Sequence, residues 1–497
     1  MRRRPLLIAI ALAALAAAPA TAQVKDTLSI DLPGQPANLD PHVQWDTDSY
    51  GVYRNIYDNL VTREPGGKIV GQVASAWTYA SPTQIDFTIR ADIKFHDGTP
   101  LTVDDVVYSV KRITDPAFKS PQLSQFDSIV GAEVVGPNLV RLTTVKPYPV
   151  LLAQLVKLSI IPKAYVEKVG QEKFNLEPVG SGPYKFVSWQ RGVRVTLEAN
   201  DTYWRGKPAI RQVTFQNVPD EATRIADLQS GRADLIRFIS PDNAKLLNTD
   251  ARLKVLPVAT ERIGYMFINA QFGPTQDVRV RRAIAHAIDR KLIVDALYAG
   301  YGTPIGIVLT PANFGYIADI PVYPFDPAKA KALIKEAGAE GAEIAFTTSP
   351  AYDQRLVQAL QQMIQEVGLK VTIRHSDHPT FLKRRQGNPD EAGSISTGLW
   401  SCGCQDADGV INPLFRTGST WAKYSNPRFD AAVDAARATI DENERLKHYR
   451  EAFTILHEDV PGLGLFQFSA IYAARKEVQW QPSANEAFFV YEMKWQQ

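Results

Sequence analysis

The 497 residues carry 55 Lys+Arg against 53 Asp+Glu, with 31 Gly, 33 Pro and two Cys. Ordinary Gly and Pro usage excludes a low-complexity or fibrous chain, and well-mixed charges leave no electrostatic footprint for nucleic acid. The length suits about three domains of ~150 residues, with a core large enough to need no disulfide framework.

Arg2, Arg3 and Arg4 precede an apolar stretch from Leu6 to Ala18, and Ala20-Thr21-Ala22 forms a small-x-small cleavage site. This order predicts a secretory signal peptide over 1–22 and a soluble mature chain starting near Gln23. The stretch falls short of the about 20 residues that a membrane-spanning helix needs. No Cys precedes Cys402, so lipid attachment at the cleavage site is not expected. The leader removes three Arg and no acid, leaving 52 Lys+Arg against 53 Asp+Glu.

Strand and helix signals then alternate. Period-2 patterning predicts a strand over Thr27–Leu32, ended by Pro33-Gly34, and another over Gln84–Arg90. His96-Asp97-Gly98 reads as a turn, since Asp bonds nearby backbone and Gly accepts positive φ. Its reading as a catalytic pair lacks a nucleophile or orienting partner. Thr102 followed by Asp105 predicts a helix start, with Val106, Val107, Val110 and Ile113 at helical spacing. Gly180-Ser181-Gly182-Pro183 reads as a tight reversal, not a phosphate cradle, which needs a Lys after the second Gly. Strands follow over 193–198 and 212–215. A helical stripe over Ala222–Leu228 stops at Gly231, and a longer single stripe runs from Val280 to Ile293. Its Arg279, Arg281 and Arg282 read as a solvated face with salt bridges, with anion binding as the alternative. Further helices are predicted over 328–337, 355–367, 429–440 and 444–456, with a strand over 370–374. The mixture argues an α/β chain with several sheets.

Several ordered segments resemble one family. Ala76-Trp77, Ile93-Lys94-Phe95-His96-Asp97-Gly98-Thr99-Pro100-Leu101 and Asp104-Asp105-Val106 are similar to its signature. Gly180 to Tyr184, Tyr203-Trp204-Arg205-Gly206-Lys207-Pro208 and Ser230-Gly231-Arg232-Ala233-Asp234 continue the pattern. Asp277 to Ala283 with Ala287-Ile288-Asp289-Arg290, then Phe325-Asp326-Pro327 with Glu336-Ala337-Gly338, extend it towards the C-terminus. The chain resembles the bacterial extracellular solute-binding proteins of family 5, the peptide, nickel and opine receptors of ABC importers.

That resemblance implies a two-lobed periplasmic-binding-protein fold of the cluster C type, with a hinge and an inserted domain. It implies 23–62, 180–260 and 468–497 for the first lobe, 63–179 for the insert and 261–467 for the second lobe. The crossings fall near Thr260–Met266 and Gly464–Phe468. It implies no catalysis, no cofactor and no resident metal. The expected ligand is a short peptide or amino-bearing compound, taken by a periplasmic monomer and passed to permease subunits. The alternatives are a metal chelate, opine, oligosaccharide or aromatic compound on the same fold. A secreted hydrolase is the remote alternative, but no Gly-x-Ser-x-Gly elbow occurs and His457-Glu458-Asp459-Val460-Pro461 lacks the second His of a zinc protease.

The family's cleft loop matches Gly398 to Gly409 here. Trp400 offers a flat face to the ligand, and Asp406 or Asp408 would pair with a ligand ammonium. The alternative for the two acids is capping of the next turn. Trp45 and Tyr50, after Leu39-Asp40-Pro41-His42, would supply the opposite wall, with core packing as the alternative for either. Two departures stand out. Ser349, and not Arg, precedes Pro350, so the carboxylate-binding Arg of dipeptide receptors is missing. Cys402-Gly403-Cys404 interrupts the loop, as a local disulfide, two free thiols or soft-metal ligands.

Overall fold

The computed structural model describes residues 25–43, 46–64 and 67–496. The expected leader and Trp45 lie outside the described residues. Among the described residues no helix is long and apolar enough to cross a membrane.

The local signals act where short-range chemistry dictates. Thr27–Leu32 is a strand, and so are Gln84–Ile89 and Gln212–Asn217. The helix Val103–Thr114 opens on a capping box, in which the Thr102 backbone N–H donates to Asp105 Oδ2 at 2.8 Å. Asp220 caps Glu221–Ser230, which ends on Gly231 at φ 80°, a left-handed position that Gly adopts without strain. The stripe expected as one helix from Val280 to Ile293 is two, Val278–Ala287 and Arg290–Leu297. Asp289 takes the Leu292 N–H at 2.9 Å and starts the second helix, while Ile288 turns extended. An acid's offer to the backbone has overridden the apolar periodicity. Arg281 is buried in the second lobe, not solvated, and donates to the carbonyls of Thr275, Gln276 and Asp459.

One 11-stranded sheet runs through both lobes. On the first-lobe side, Thr27–Leu32 pairs in parallel with Gln212–Asn217 and with Leu235–Arg237. On the second-lobe side, Glu343–Thr348 lies parallel to Lys370–His375 and Ile395–Trp400. Two long antiparallel strands, Leu253–Ile268 and Gly462–Arg475, join the halves. Their register slips between Ala259 and Ile263. Side chains replace the missing ladder there: Thr260 Oγ1 donates to the Phe468 carbonyl at 2.8 Å, and Gln467 Nε2 donates to the Thr260 carbonyl at 2.7 Å.

Apolar cores separate along the same division. The first-lobe core gathers Leu28, Ile30, Tyr53, Tyr57, Phe215 and Phe488. The second lobe has a core on each face of its sheet, one around Phe346, Ile284 and Leu360 and one around Phe267, Phe415 and Tyr449. A separate four-stranded sheet, with Phe87, Val140 and Leu142 in its core, forms the insert. The helix Lys163–Leu176 falls within the 63–179 expected for the insert, yet it buries Val166 and Phe174 in the first-lobe core.

Candidate functional site: the cleft between the lobes

The first wall is built on the short helix Thr47–Tyr53, capped at Arg54. Tyr50 and Arg54 are four residues apart and so lie on adjoining turns of one face. The Arg54 guanidinium sits between the rings of Tyr50 (5.8 Å) and Phe489 (5.0 Å). Its Nη2 donates to Thr62 Oγ1 at 2.6 Å. Arg63, closing the strand Val61–Arg63, reaches across the cleft: Nη1 donates to the Gly67 carbonyl at 2.6 Å and Nη2 to the Cys404 carbonyl of the second lobe at 2.5 Å.

The second wall is the 402–409 loop. Cys402 and Cys404 form a disulfide. Cys404 is fully buried and packs on Val150 and Ala153 of the insert. Gln405 follows at φ 50°, a conformation that costs a non-Gly residue strain. The loop is pinned to its neighbour by two backbone bonds, Phe314 N–H to the Gln405 carbonyl and Ala407 N–H to the Phe314 carbonyl, both 2.9 Å. Gly409 is required, because a Cβ there would stand 2.2 Å from Cys402 Sγ. Trp400 braces the loop: its Nε1 donates to the Gly409 carbonyl at 2.9 Å, and its ring meets Trp421 edge-on.

Both candidate acids are engaged inside the protein. Asp406 is 3% exposed and accepts from Arg445 Nη2 at 2.9 Å and from the Tyr449 hydroxyl at 2.7 Å. Asp408 pairs with Arg437 at 3.0 Å, and burial pushes its carboxyl up to about 6.

Between the walls lie connected spaces that Arg63 lines throughout. An inner chamber of about 30 Å³ is bounded by Tyr50, Arg54, Arg63, Lys157, Glu261, Gly403 and Asn485. A larger space of about 170 Å³ adjoins it, with Trp480, Phe489, Asn485 and Gln405 on its walls. An outer space of about 620 Å³ opens between Trp77 and Tyr79 of the insert and Phe314 and Arg445 of the second lobe. Glu261 belongs to the hinge strand, and burial pushes its carboxyl up to about 8. Burial pulls the Lys157 ammonium down to about 8. Arg54 Nη1, Arg63 Nε and Glu261 Oε2 are buried without a hydrogen-bond partner.

Of the residues expected from the sequence, Tyr50 lines the inner chamber, Asp406 the outer space, and Trp400 and Asp408 brace the loop. The sequence reading missed Arg54, Arg63, Lys157 and Glu261. A signal existed for two of them. Arg54 in Val52-Tyr53-Arg54-Asn55-Ile56-Tyr57 and Lys157 in Leu155-Val156-Lys157-Leu158 are lone charges in otherwise uncharged runs. A charge that must be buried with its neighbours is costly and marks a special environment.

Residues 68–421 match the family described as bacterial extracellular solute-binding proteins, family 5 Middle. The chain is 28% identical over 484 residues to the dipeptide-binding protein of Escherichia coli (strain K12), covering 90% of each chain. It is 29% identical over 451 residues to heme-binding protein A of Haemophilus influenzae, covering 82% of this chain and 81% of that one. The fold matches HbpA2 from Haemophilus parasuis with a TM-score of 0.88 and 26% identity, over 95% of this chain and 100% of that one. A family match that spans well over half the sequence, on a two-lobed fold with its cleft between the lobes, places the chain among the bacterial extracellular solute-binding proteins of family 5.

Proposed function

We propose that this protein captures a short peptide in the interlobe cleft, without catalysis, and delivers it to the permease of an ABC importer. The observation that carries this reading is the inner cleft. Its walls come from both lobes, so a ligand held there contacts both and favours the form in which they meet. The lining supports a peptide: Trp480, Phe489 and Tyr50 give flat apolar faces, while Asn485, Ser483 and Gln405 supply donors and acceptors for amide groups. The dipeptide-binding relative points the same way. We further propose a periplasmic, monomeric receptor released after cleavage near Gln23.

The test is calorimetric titration of the mature chain with di- and tripeptide libraries. Saturable binding near 1 μM, about −8 kcal/mol, is the expected result. Indifference to every peptide, with tight binding of a metal chelate, haem or sugar, refutes the peptide reading. N-terminal sequencing of the secreted chain checks the cleavage site.

A further inference from the structure

We infer that Arg54 and Arg63 together form an anion pocket at the inner end of the cleft, and that it takes a small molecule ending in a carboxylate. This rests on the peptide-capture reading, in which the carboxylate is the peptide's C-terminus. Three observations carry it.

The first is unspent hydrogen-bonding capacity. Arg54 Nη1 and Arg63 Nε are buried donors without partners, and both side chains line the same 30 Å³ chamber and the adjoining 170 Å³ space. Buried donors are nearly always satisfied, so orphaned ones at a cavity mark a missing acceptor. A guanidinium offers a planar fork that matches a carboxylate.

The second is the balance of charge. Arg54, Arg63 and Lys157 line the two spaces, and so do Glu64, Glu261 and Glu492. The acids do not neutralise the interior. Glu64 is exposed at the rim. Burial pushes the carboxyls of Glu261 and Glu492 upward, towards their neutral forms. Glu486, close behind, is already shared by Arg237 and Arg262 at 3.2 and 3.1 Å. The same burial pulls the Lys157 ammonium down, so the charge left facing the chamber is that of the two guanidiniums, which do not give up their protons.

The third is the state of the second-lobe acids. Asp406 is held by Arg445 and Tyr449. Asp408 lies beside Arg437 at 3.0 Å with its Oδ1 lacking a hydrogen bond, but it is 4% exposed and lines none of the three spaces. The partnerless donors of Arg54 and Arg63 are the ones that face the chamber. The chamber has room for about two water-sized groups, which suits the two oxygens of a carboxylate. Arg63 also holds the Cys404 carbonyl across the cleft, so filling the pocket and joining the lobes share one side chain.

The experiment uses the mature chain, unfolded and refolded to remove resident ligand. A di- and tripeptide library is offered once as free acids and once as C-terminal amides, with acetate, succinate and inorganic phosphate as non-peptide probes. Wild type is compared with Arg54→Gln, Arg63→Gln, Arg54→Lys and Arg63→Lys. Unfolding midpoints confirm that each variant is folded. If Arg54→Gln fails to fold, the half-buried Arg63→Gln decides alone. The expected result is that free acids bind about ten- to a hundredfold tighter than amides. Arg→Gln erases that preference, and Arg→Lys restores part of it. Equal binding of acids and amides, or a preference that survives both Arg→Gln changes, overturns the anion pocket and leaves peptide capture standing. If no peptide binds but succinate or acetate does, with loss in the Arg→Gln variants, peptide capture falls and the pocket stands. Binding of phosphate alone overturns the carboxylate class. Binding of nothing overturns both.

Discussion

Asp406 can be buried because Arg445 and Tyr449 are buried with it. Taking its charge away strands the Arg445 guanidinium in the second-lobe core. Asp406→Ala should therefore cost about 3–5 kcal/mol in urea unfolding, the usual penalty for breaking a buried pair from one side. Asp408 is different. Burial disfavours its charge and raises its carboxyl to about 6, with Arg437 only partly compensating. Asp408→Asn should cost less than about 1 kcal/mol at pH 7, and a loss as large as that of Asp406→Ala would contradict this account. Glu261 gives a pH signature. Its carboxyl, faced by Lys157, Arg63, Arg262 and Glu486, holds its proton up to about pH 8, while the unfolded chain releases it near 4.5. Between those values only the folded form binds this proton, so its contribution is complete below about pH 4.5 and is lost as pH rises towards 8. The downward shift of Lys157 acts between about 8 and 10.5, outside that window. Relative to Glu261→Gln, the wild-type chain should lose a few kcal/mol between pH 5 and 8, because each pH unit is worth about 1.4 kcal/mol. Parallel unfolding curves for the two proteins across that range would refute it.

The 402–409 loop works as an element because the disulfide, Gly409 and the Trp400 indole hold one shape. The ring closed by Cys402 and Cys404 is so short that chain entropy gives it only about 1–2 kcal/mol. Its larger effect is positional, since Gly403 and Gln405 stand on the cleft wall and the Cys404 carbonyl receives Arg63. Replacing both cysteines with Ser should leave unfolding within about 2 kcal/mol of wild type while weakening ligand binding by about tenfold or more. Calorimetry and urea unfolding on the same samples check this, and unchanged affinity would show that the loop keeps its shape without the bond. Legibility in the sequence follows the same logic. The capping box at Thr102, the Gly231 stop and the 27–32 alternation were readable because each is settled within a few residues. The break at Asp289 was missed because a stripe of apolar residues says nothing about which acid will cap. Arg63 was missed because its role depends on Cys404, 341 positions away in sequence. Tyr50, expected on the cleft wall from the resemblance, lines the inner chamber, and the pairing of Asp406 with Arg445 needed the fold.

At the scale of the whole molecule, the hinge and the cleft are one device. Two strands cross between the lobes, and the ladder is interrupted where they cross, so rotation there disturbs few backbone bonds. The lobes are joined on the far side by a small apolar cluster, in which Cys402 and Cys404 pack with Ile69, Tyr148, Val150 and Ala153, by Arg437 over the Tyr148 ring at 6.0 Å, and by the Arg63 bond. A ligand shifts the open–closed equilibrium only by the contacts it adds to the joined form, and its apparent affinity scales with the fraction of chains able to join. A wedge placed in the apolar contact, outside the 30 and 170 Å³ spaces, should therefore weaken binding there without touching a ligand held in them. Ala153→Asp is such a wedge. It is 5% exposed when the lobes meet, and an unpaired carboxylate there would be buried at a cost of several kcal/mol. Opening the cleft hydrates that carboxylate, so the variant should keep its fold and shift towards the open form. Small-angle scattering should show a larger radius of gyration for the ligand-free variant than for ligand-bound wild type. Calorimetry should show apparent affinity reduced tenfold for every 1.4 kcal/mol by which joining is disfavoured. A variant that binds as tightly as wild type would mean that the insert and the disulfide loop need not meet for capture, and that closure lies elsewhere than in this contact.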